Sequence, residues 1–199
     1  MDCKPLFNPT TKQNVGFVCG NFRSRAKCQF CGNRVEYECD FPVGKKTCDK
    51  KICHSCAKHF PLLDSISDKL AFRDSKDFCP THKDFVFQAG AHFIFVVNSD
   101  FSLEPNAQLI DRNTPLGNPY RLTKDEPYLR QECLRKYKRW LWENIKLPSS
   151  APAQELRRLA TLAAEEDVYL RCWCAPKPCH GQIVAAAICY LLKGQNSNG

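Results

Sequence analysis

The sequence predicts an α/β fold preceded by a zinc-binding module, and three observations carry that reading. Residues from Val168 to Leu192 read as a strand, a proline-stiffened loop and an apolar helix. The run from His92 to Asn98, HFIFVVN, is a continuous apolar stretch of strand length, as expected where both faces of a sheet are covered. Upstream of both, from Cys28 to His82, ligand-type residues arrive in close pairs.

Composition limits what the chain can be. At 199 residues, one or two domains are expected, with a zinc module over 1–87, an α/β domain over 88–193 and a frayed tail over 194–199. A hydrophobic fraction of 43% and a charged fraction of 25% suit a soluble globular chain. The 29 basic and 21 acidic residues leave a net charge of +8, which favours anionic partners but falls short of a nucleic-acid coat. Asp2, Cys3, Lys4 and Pro5 do not form a standard signal peptide, and no stretch is long enough to span a bilayer, so a cytoplasmic protein without membrane contact is expected. In a reducing compartment, 14 cysteines with repeated CxxC spacing point to metal ligation rather than disulfides.

Residues 1–27 are polar and without clear period. Cys3 and Cys19 have no close sequence partners and read as free or buried thiols, while Arg23, Arg25 and Lys27 read as solvated surface. The ligand-type residues then come as Cys28 and Cys31, Cys39 and Cys48, Cys53 and Cys56, and Cys79 and His82. A CxxC knuckle holds two thiolates along one edge of a tetrahedron, so each zinc takes two pairs and four pairs predict two ions. His59 competes for a place, and Cys48 with Cys53 is a further possible pair. With few apolar residues between the knuckles, the metal would supply the folding energy of the segment. Full sets of protein ligands leave no open coordination position, which favours a structural over a catalytic role. Lys45, Lys46, Lys50 and Lys51, with Phe41, would face either phosphate or water.

This spacing resembles the cross-brace modules of the RING and B-box type. The resemblance implies that alternate pairs share an ion: Cys28, Cys31, Cys53 and Cys56 at one site, Cys39, Cys48, Cys79 and His82 at the other. It also implies a module that binds another protein.

Leu62, Leu63, Ile66, Leu70 and Phe72 suggest a short amphipathic helix packed on the module. The domain boundary is expected around Gly90, with His92 a structural histidine at a strand edge. The segment from Ser99 to Pro127 reads as a long loop whose centre is dense in turn residues: Pro115, Gly117, Asn118 and Pro119. Loops of that length in a small domain are functional or disordered, and this composition argues for function. Arg112 can fork onto a phosphate or carboxylate, and Asn118 can hydrogen-bond a base, ribose or amide. The plainer alternative is an ordered surface loop with Arg112 in a salt bridge.

Leu129, Cys133, Tyr137, Trp140, Leu141, Asn144 and Ile145 recur at helical spacing, with Arg130, Arg135, Lys136, Lys138 and Arg139 mostly at other positions, a basic face that is either plain solvation or a nucleic-acid footprint. Pro148 and Pro152 end that helix and open a second one carrying Leu156, Leu159 and Leu162. Val168, Leu170, Cys172 and Cys174 then alternate with Tyr169, Arg171 and Trp173, the period of a strand. Pro176 and Pro178 must lie beyond its end. Gly181 permits a turn, and a helix follows from Gln182, so Cys179 and His180 come to its amino end beside the carboxyl end of the strand. Three accounts stay open for Cys172, Cys174, Cys179 and His180. They could form a third metal site, supply a low-pKa nucleophile with its proton relay, or simply pack a strand and cap a helix.

With these motifs in view, the segment from about Phe93 to Cys189 resembles a family frequent in phages and bacteria and catalogued as domain of unknown function 4326. The shared signature is an arginine before a PLGNP turn, a tyrosine-bearing basic helix, and CWCxPxPCHG. Here these are Arg112, Pro115 to Pro119, Tyr137 and Cys172 to Gly181. Asp111 stands where the family tends to have glycine, and Gln182 where it often has an acidic residue. The resemblance implies a small Rossmann-like α/β domain with one shared pocket, but brings no established reaction. The expected function is binding of a nucleotide, nucleoside or nucleic-acid end, with Arg112, Asn118 and Tyr137 on the ligand, the amides at the helix start sharing its phosphate with Arg112, and Cys179 and His180 carrying any chemistry. The alternative is a non-catalytic, phage-encoded adaptor or inhibitor that grips a host protein or DNA through the zinc module.

Overall fold

The computed structural model describes residues 2–7, 14–20, 26–61, 75–98 and 107–196, with backbone alone at 2–7, 14–20 and 195–196. β1 (Asp2–Phe7) and β2 (Asn14–Gly20) form an antiparallel pair whose register sets Cys3 opposite Cys19. Nothing in the sequence hints at that juxtaposition, because the residues lie far apart in a segment without period. Three short ribbons follow: β3 (Tyr37–Glu38) with β6 (Lys51–Ile52), β4 (Pro42–Val43) with β5 (Lys46–Thr47), and β7 (Lys58–Pro61) with β8 (Ser75–Phe78). The helix expected on Leu62 to Phe72 lies outside the described residues.

The second half is built on one four-stranded sheet, in the order β11 (Gln108–Leu109), β12 (Val168–Cys172), β10 (His92–Asn98), β9 (Val86–Ala89). β9 and β10 are an antiparallel hairpin turned at Gly90, whose φ of 67° suits glycine. β10, β12 and β11 run parallel. The expected division at 87/88 falls inside β9, which pairs with β10. β12 ends at Cys172, so Trp173 and Cys174 lie in the following turn rather than in the strand. Three helices complete the fold: α1 (Pro127–Ile145), α2 (Ala151–Glu165) and α3 (His180–Asn196). Ser150 caps α2 by accepting a 3.2 Å hydrogen bond from the Ala153 amide.

Side chains alternate across the sheet, and each face has its own cover. Phe93 and Phe95 meet Phe60, Phe78 and Phe41 of the amino-terminal module, and Tyr169 stacks on Phe95 at 5.2 Å. Val96 points the other way, to α3, where a Cβ on Gly181 would come within 2.7 Å of its Cγ1. The apolar core is therefore continuous from Phe41 through the sheet to Ile188. Asp167, just ahead of β12, adds a polar clip: it accepts from the Phe93 amide at 2.8 Å and from Lys76 Nζ at 3.2 Å. His92, the expected structural histidine, stands 3.9 Å from the same carboxylate. Among the described residues no helix is long and apolar enough to cross a membrane.

Candidate functional site

Chemistry-bearing residues gather in two regions, the amino-terminal module and the carboxyl ends of β12 and β11. In the amino-terminal module, the ligand atoms of Cys28, Cys31, Cys53 and Cys56 lie within 4.8 Å of one another, as do those of Cys39, Cys48, Cys79 and His82. Each group gathers two pairs from separate turns, in the alternating order of a cross-brace. The turns are tight knuckles: the Cys28 carbonyl accepts from Gly32, at φ 77°, the Cys53 carbonyl from Cys56 and Ala57, and the Cys79 carbonyl from His82 and Lys83. His59 stands apart from both groups, against Asp77 and stacked on His54.

The donor chemistry fits zinc. With Zn–S near 2.3 Å and Zn–N near 2.05 Å, a tetrahedron has S–S edges of about 3.8 Å and S–N edges of about 3.6 Å. Cys31 Sγ lies 3.4 Å from Cys53 Sγ, and His82 Nδ1 lies 3.6 Å from Cys39 Sγ and 3.5 Å from Cys79 Sγ. Four thiols at such spacing cannot all ionise without a cation: the Cys31 sulfur, with burial, pushes the Cys56 thiol up to about 12. Either group could hold a zinc ion through a full set of protein ligands, which is the pattern of a structural rather than a catalytic site.

The second cluster lies at the carboxyl ends of β12 and β11. Ile110 to Tyr120 folds back on itself through two turns, with Thr114 donating to Asp111 and Gly117 to Thr114. Gly117 is required there, because a Cβ would overlap the Asp111 carbonyl oxygen. Leu116 is buried, and Tyr137 of α1 donates its hydroxyl to the Leu116 carbonyl at 2.7 Å. Asn118 accepts from the Tyr120 amide at 2.9 Å. This loop and the turn after β12 enclose a cavity of about 340 Å³ whose wall includes Arg112, Asn118, Trp173, Cys179 and His180. Four of the five were expected to serve one site; Trp173 was not, since the strand period made it an ordinary alternating position. Its 67% exposure follows from the early end of β12.

The floor of the cavity is a proton-sharing group. His180 is buried, and its Nε2–H donates to the Ile110 carbonyl at 2.6 Å. Burial, helped by the nearby Arg112 charge, holds its pKa below the usual histidine range, so the ring is neutral and Nδ1 is free to accept. Cys172 Sγ lies 3.6 Å from that nitrogen. Against a lowering contact from Cys174, the Cys179 sulfur and burial push the Cys172 thiol up to about 12. Cys172 therefore keeps its proton, and both His180 Nδ1 and the Cys179 sulfur face it. The Cys179 thiol is lowered, first by Cys172 and then by the Gly181 and Gln182 amides at the start of α3. Gln182 Oε1 in turn accepts from the Cys179 amide at 3.0 Å, so Cys179 and Gln182 form a capping box. Gln182 Nε2 donates to the Asp84 carbonyl, and neither end of this side chain bonds His180.

Two expectations change on this geometry. Tyr137, expected on the ligand, is fully buried, with its ring edge-on to His180 at 5.2 Å, and it fixes the loop instead. The α3 amides expected to face a phosphate are turned to the Cys179 sulfur. Arg112 is exposed and makes no hydrogen bond or ion pair among the described residues. Arg130, by contrast, is held by Asp125 and by the Pro178 carbonyl at 3.1 Å, fastening α1 to the thiol loop. The three thiols and His180 do not gather as the two zinc groups do.

No curated protein and no solved structure matches the chain. Residues 97–189, which include both loop motifs and the whole cavity wall, match the family described as a domain of unknown function (DUF4326).

Proposed function

We propose that the carboxyl-terminal half is a reduced Rossmann-like unit that binds a nucleotide, a nucleoside or a nucleic-acid end. The amino-terminal half would be a unit held by two zinc ions, in a chain that works in the reducing cytoplasm. One observation carries the reading: Arg112, Asn118, Trp173, Cys179 and His180, from two distant loops, line a single cavity of about 340 Å³. Arg112 is the unpaired cation at its wall and takes the phosphate. Trp173 offers an exposed ring on which a base can stack. Asn118 shapes the wall through its own turn, and neutral His180 holds Ile110 and Cys172 in place. Any covalent chemistry falls to Cys179, the thiol whose pKa is lowered at the cavity floor.

The test is calorimetric titration of the zinc-loaded chain with nucleoside mono-, di- and triphosphates, unphosphorylated nucleosides and inorganic phosphate. Binding of at least one phosphorylated nucleoside is expected, weakened at least tenfold by Arg112→Ala and by Trp173→Ala. A panel without binding, or binding indifferent to both changes, overturns the reading.

A second reading, a non-catalytic adaptor working through the zinc module, is supported by the exposed Phe30 and Val43 beside the knuckles. Capture of a host protein or DNA that survives Cys179→Ala and His180→Ala, and fails on Phe30→Ala with Val43→Ser, favours it.

A further inference from the structure

The groove between α1 and α3 shares no lining residue with the cavity at the carboxyl ends of β12 and β11. It encloses about 590 Å³, floored by apolar side chains that include Trp142, Ile145, Ile183 and Tyr190. Small residues on α3, Ala186 and Ala187, leave it open. Trp142 and Tyr190 are 45% and 57% exposed, so the groove presents two adjoining aromatic rings to solvent.

The rim carries the sign of the partner. Arg135, Lys138 and Arg139 line the groove, and none of them makes an ion pair among the described residues. Elsewhere on α1 and just past its end the cations are neutralised: Arg130 pairs with Asp125, Lys136 with Glu132 at 3.0 Å and Lys146 with Glu143 at 2.9 Å. α1 thus leaves its positive charge free along the apolar groove. An acidic partner meets that rim with favourable charge, whereas a second copy of this chain docking face to face would set the same cations against each other.

The aromatic geometry separates two anionic classes. Single-stranded nucleic acid binds on rings that present successive open faces. Trp142 and Tyr190 instead meet edge to face, with centroids 5.6 Å apart and planes at 67°, so one ring closes against the other's face. Such a pair makes the wall of a slot for side chains. We infer that the α1/α3 groove docks an acidic amphipathic helix of a partner protein, its apolar residues at i, i+3 or i+4, and i+7 on Trp142 and Tyr190 and its carboxylates on Arg135, Lys138 and Arg139.

The experiment pans a displayed library of random 16-residue peptides on the full zinc-loaded chain. Enriched peptides are expected to be rich in Asp and Glu, with large apolar residues at helical spacing. As synthetic peptides they should bind at least tenfold more weakly to Trp142→Ala and to the Arg135→Glu/Arg139→Glu double variant. These positions are on the surface, and circular dichroism checks that both variants fold. No enrichment, enrichment of neutral or basic peptides, or binding unaffected by the variants overturns the inference. So does a labelled fifteen-residue oligothymidylate that binds and loses affinity on Trp142→Ala, which assigns the groove to nucleic acid. Self-association by sedimentation that Trp142→Ala abolishes assigns it to a second copy and overturns the inference equally.

Discussion

The Tyr137 hydroxyl is one donor, yet the shape of the cavity depends on it. Burial raises its pKa, so it keeps its proton and gives it to the Leu116 carbonyl. Tyr137→Phe leaves that carbonyl without its partner, at a cost of about 1–3 kcal/mol. A lower urea midpoint at unchanged slope is the expected readout. His180 supplies a pH dependence of definite sign. Its folded pKa lies below the unfolded value near 6.5, so below that pH the unfolded chain binds more protons than the native one. The contribution of His180 is complete above about pH 6.5 and is lost as the pH falls, by at most about 1.4 kcal/mol per pH unit. Urea titrations of wild type and His180→Gln at pH 7.0, 6.0 and 5.0 should differ in slope by that group alone, with the zinc sites common to both. At this scale the sequence is only half readable. It places Arg112, Cys179 and His180 in loops, where chain chemistry alone marks them. Helical spacing marks Tyr137 as part of a stripe but does not say whether its hydroxyl meets ligand or backbone. Nor can a strand period announce that β12 stops one residue before Trp173.

Among the elements, α3 shows how a helix start can be consumed by its own cap. The capping box of Cys179 and Gln182 satisfies donors that would otherwise bind an anion. Gln182→Ala should therefore destabilise the chain by about 1 kcal/mol, seen as a lower melting temperature, through loss of the bond to the Cys179 amide. Glycine at 181 belongs to the same junction, since it lets α3 approach Val96 of β10. The long elements were legible because many residues repeat one period: β10 runs from His92 to Asn98 as the apolar run suggests, and α2 carries Leu156 and Leu159 inward. The ribbons β3 to β6 and the edge strand β11 are two residues each, too short for any period to form. Their places are set by the cysteine knuckles and by the neighbouring strand, which are tertiary constraints.

For the molecule as a whole, the ligand group of His82 and the core are joined through the sheet. Phe41 stacks on His82 at 4.1 Å and also meets Phe95, which stacks on Tyr169 of β12. Native mass spectrometry should find two zinc ions per chain, with one lost on Cys56→Ser and the other on Cys79→Ser. A third ion would assign the thiol loop to metal. Trp140, Trp142 and Trp173 all lie in the second half, so their emission reports on that half alone. Removing zinc with a chelator should lower the midpoint of the tryptophan-monitored unfolding transition, not merely the far-ultraviolet signal of the module. A tryptophan transition untouched by chelation would mean that the two halves unfold independently.

Asp167 stands at the junction of the two halves. One carboxylate holds the amide of Phe93 on one strand and the ammonium of Lys76 on another, at the seam where the halves meet. Were the module to lose its fold without metal, the Lys76 side of that seam would part and the Phe93 and Phe95 face of the sheet would lose its cover.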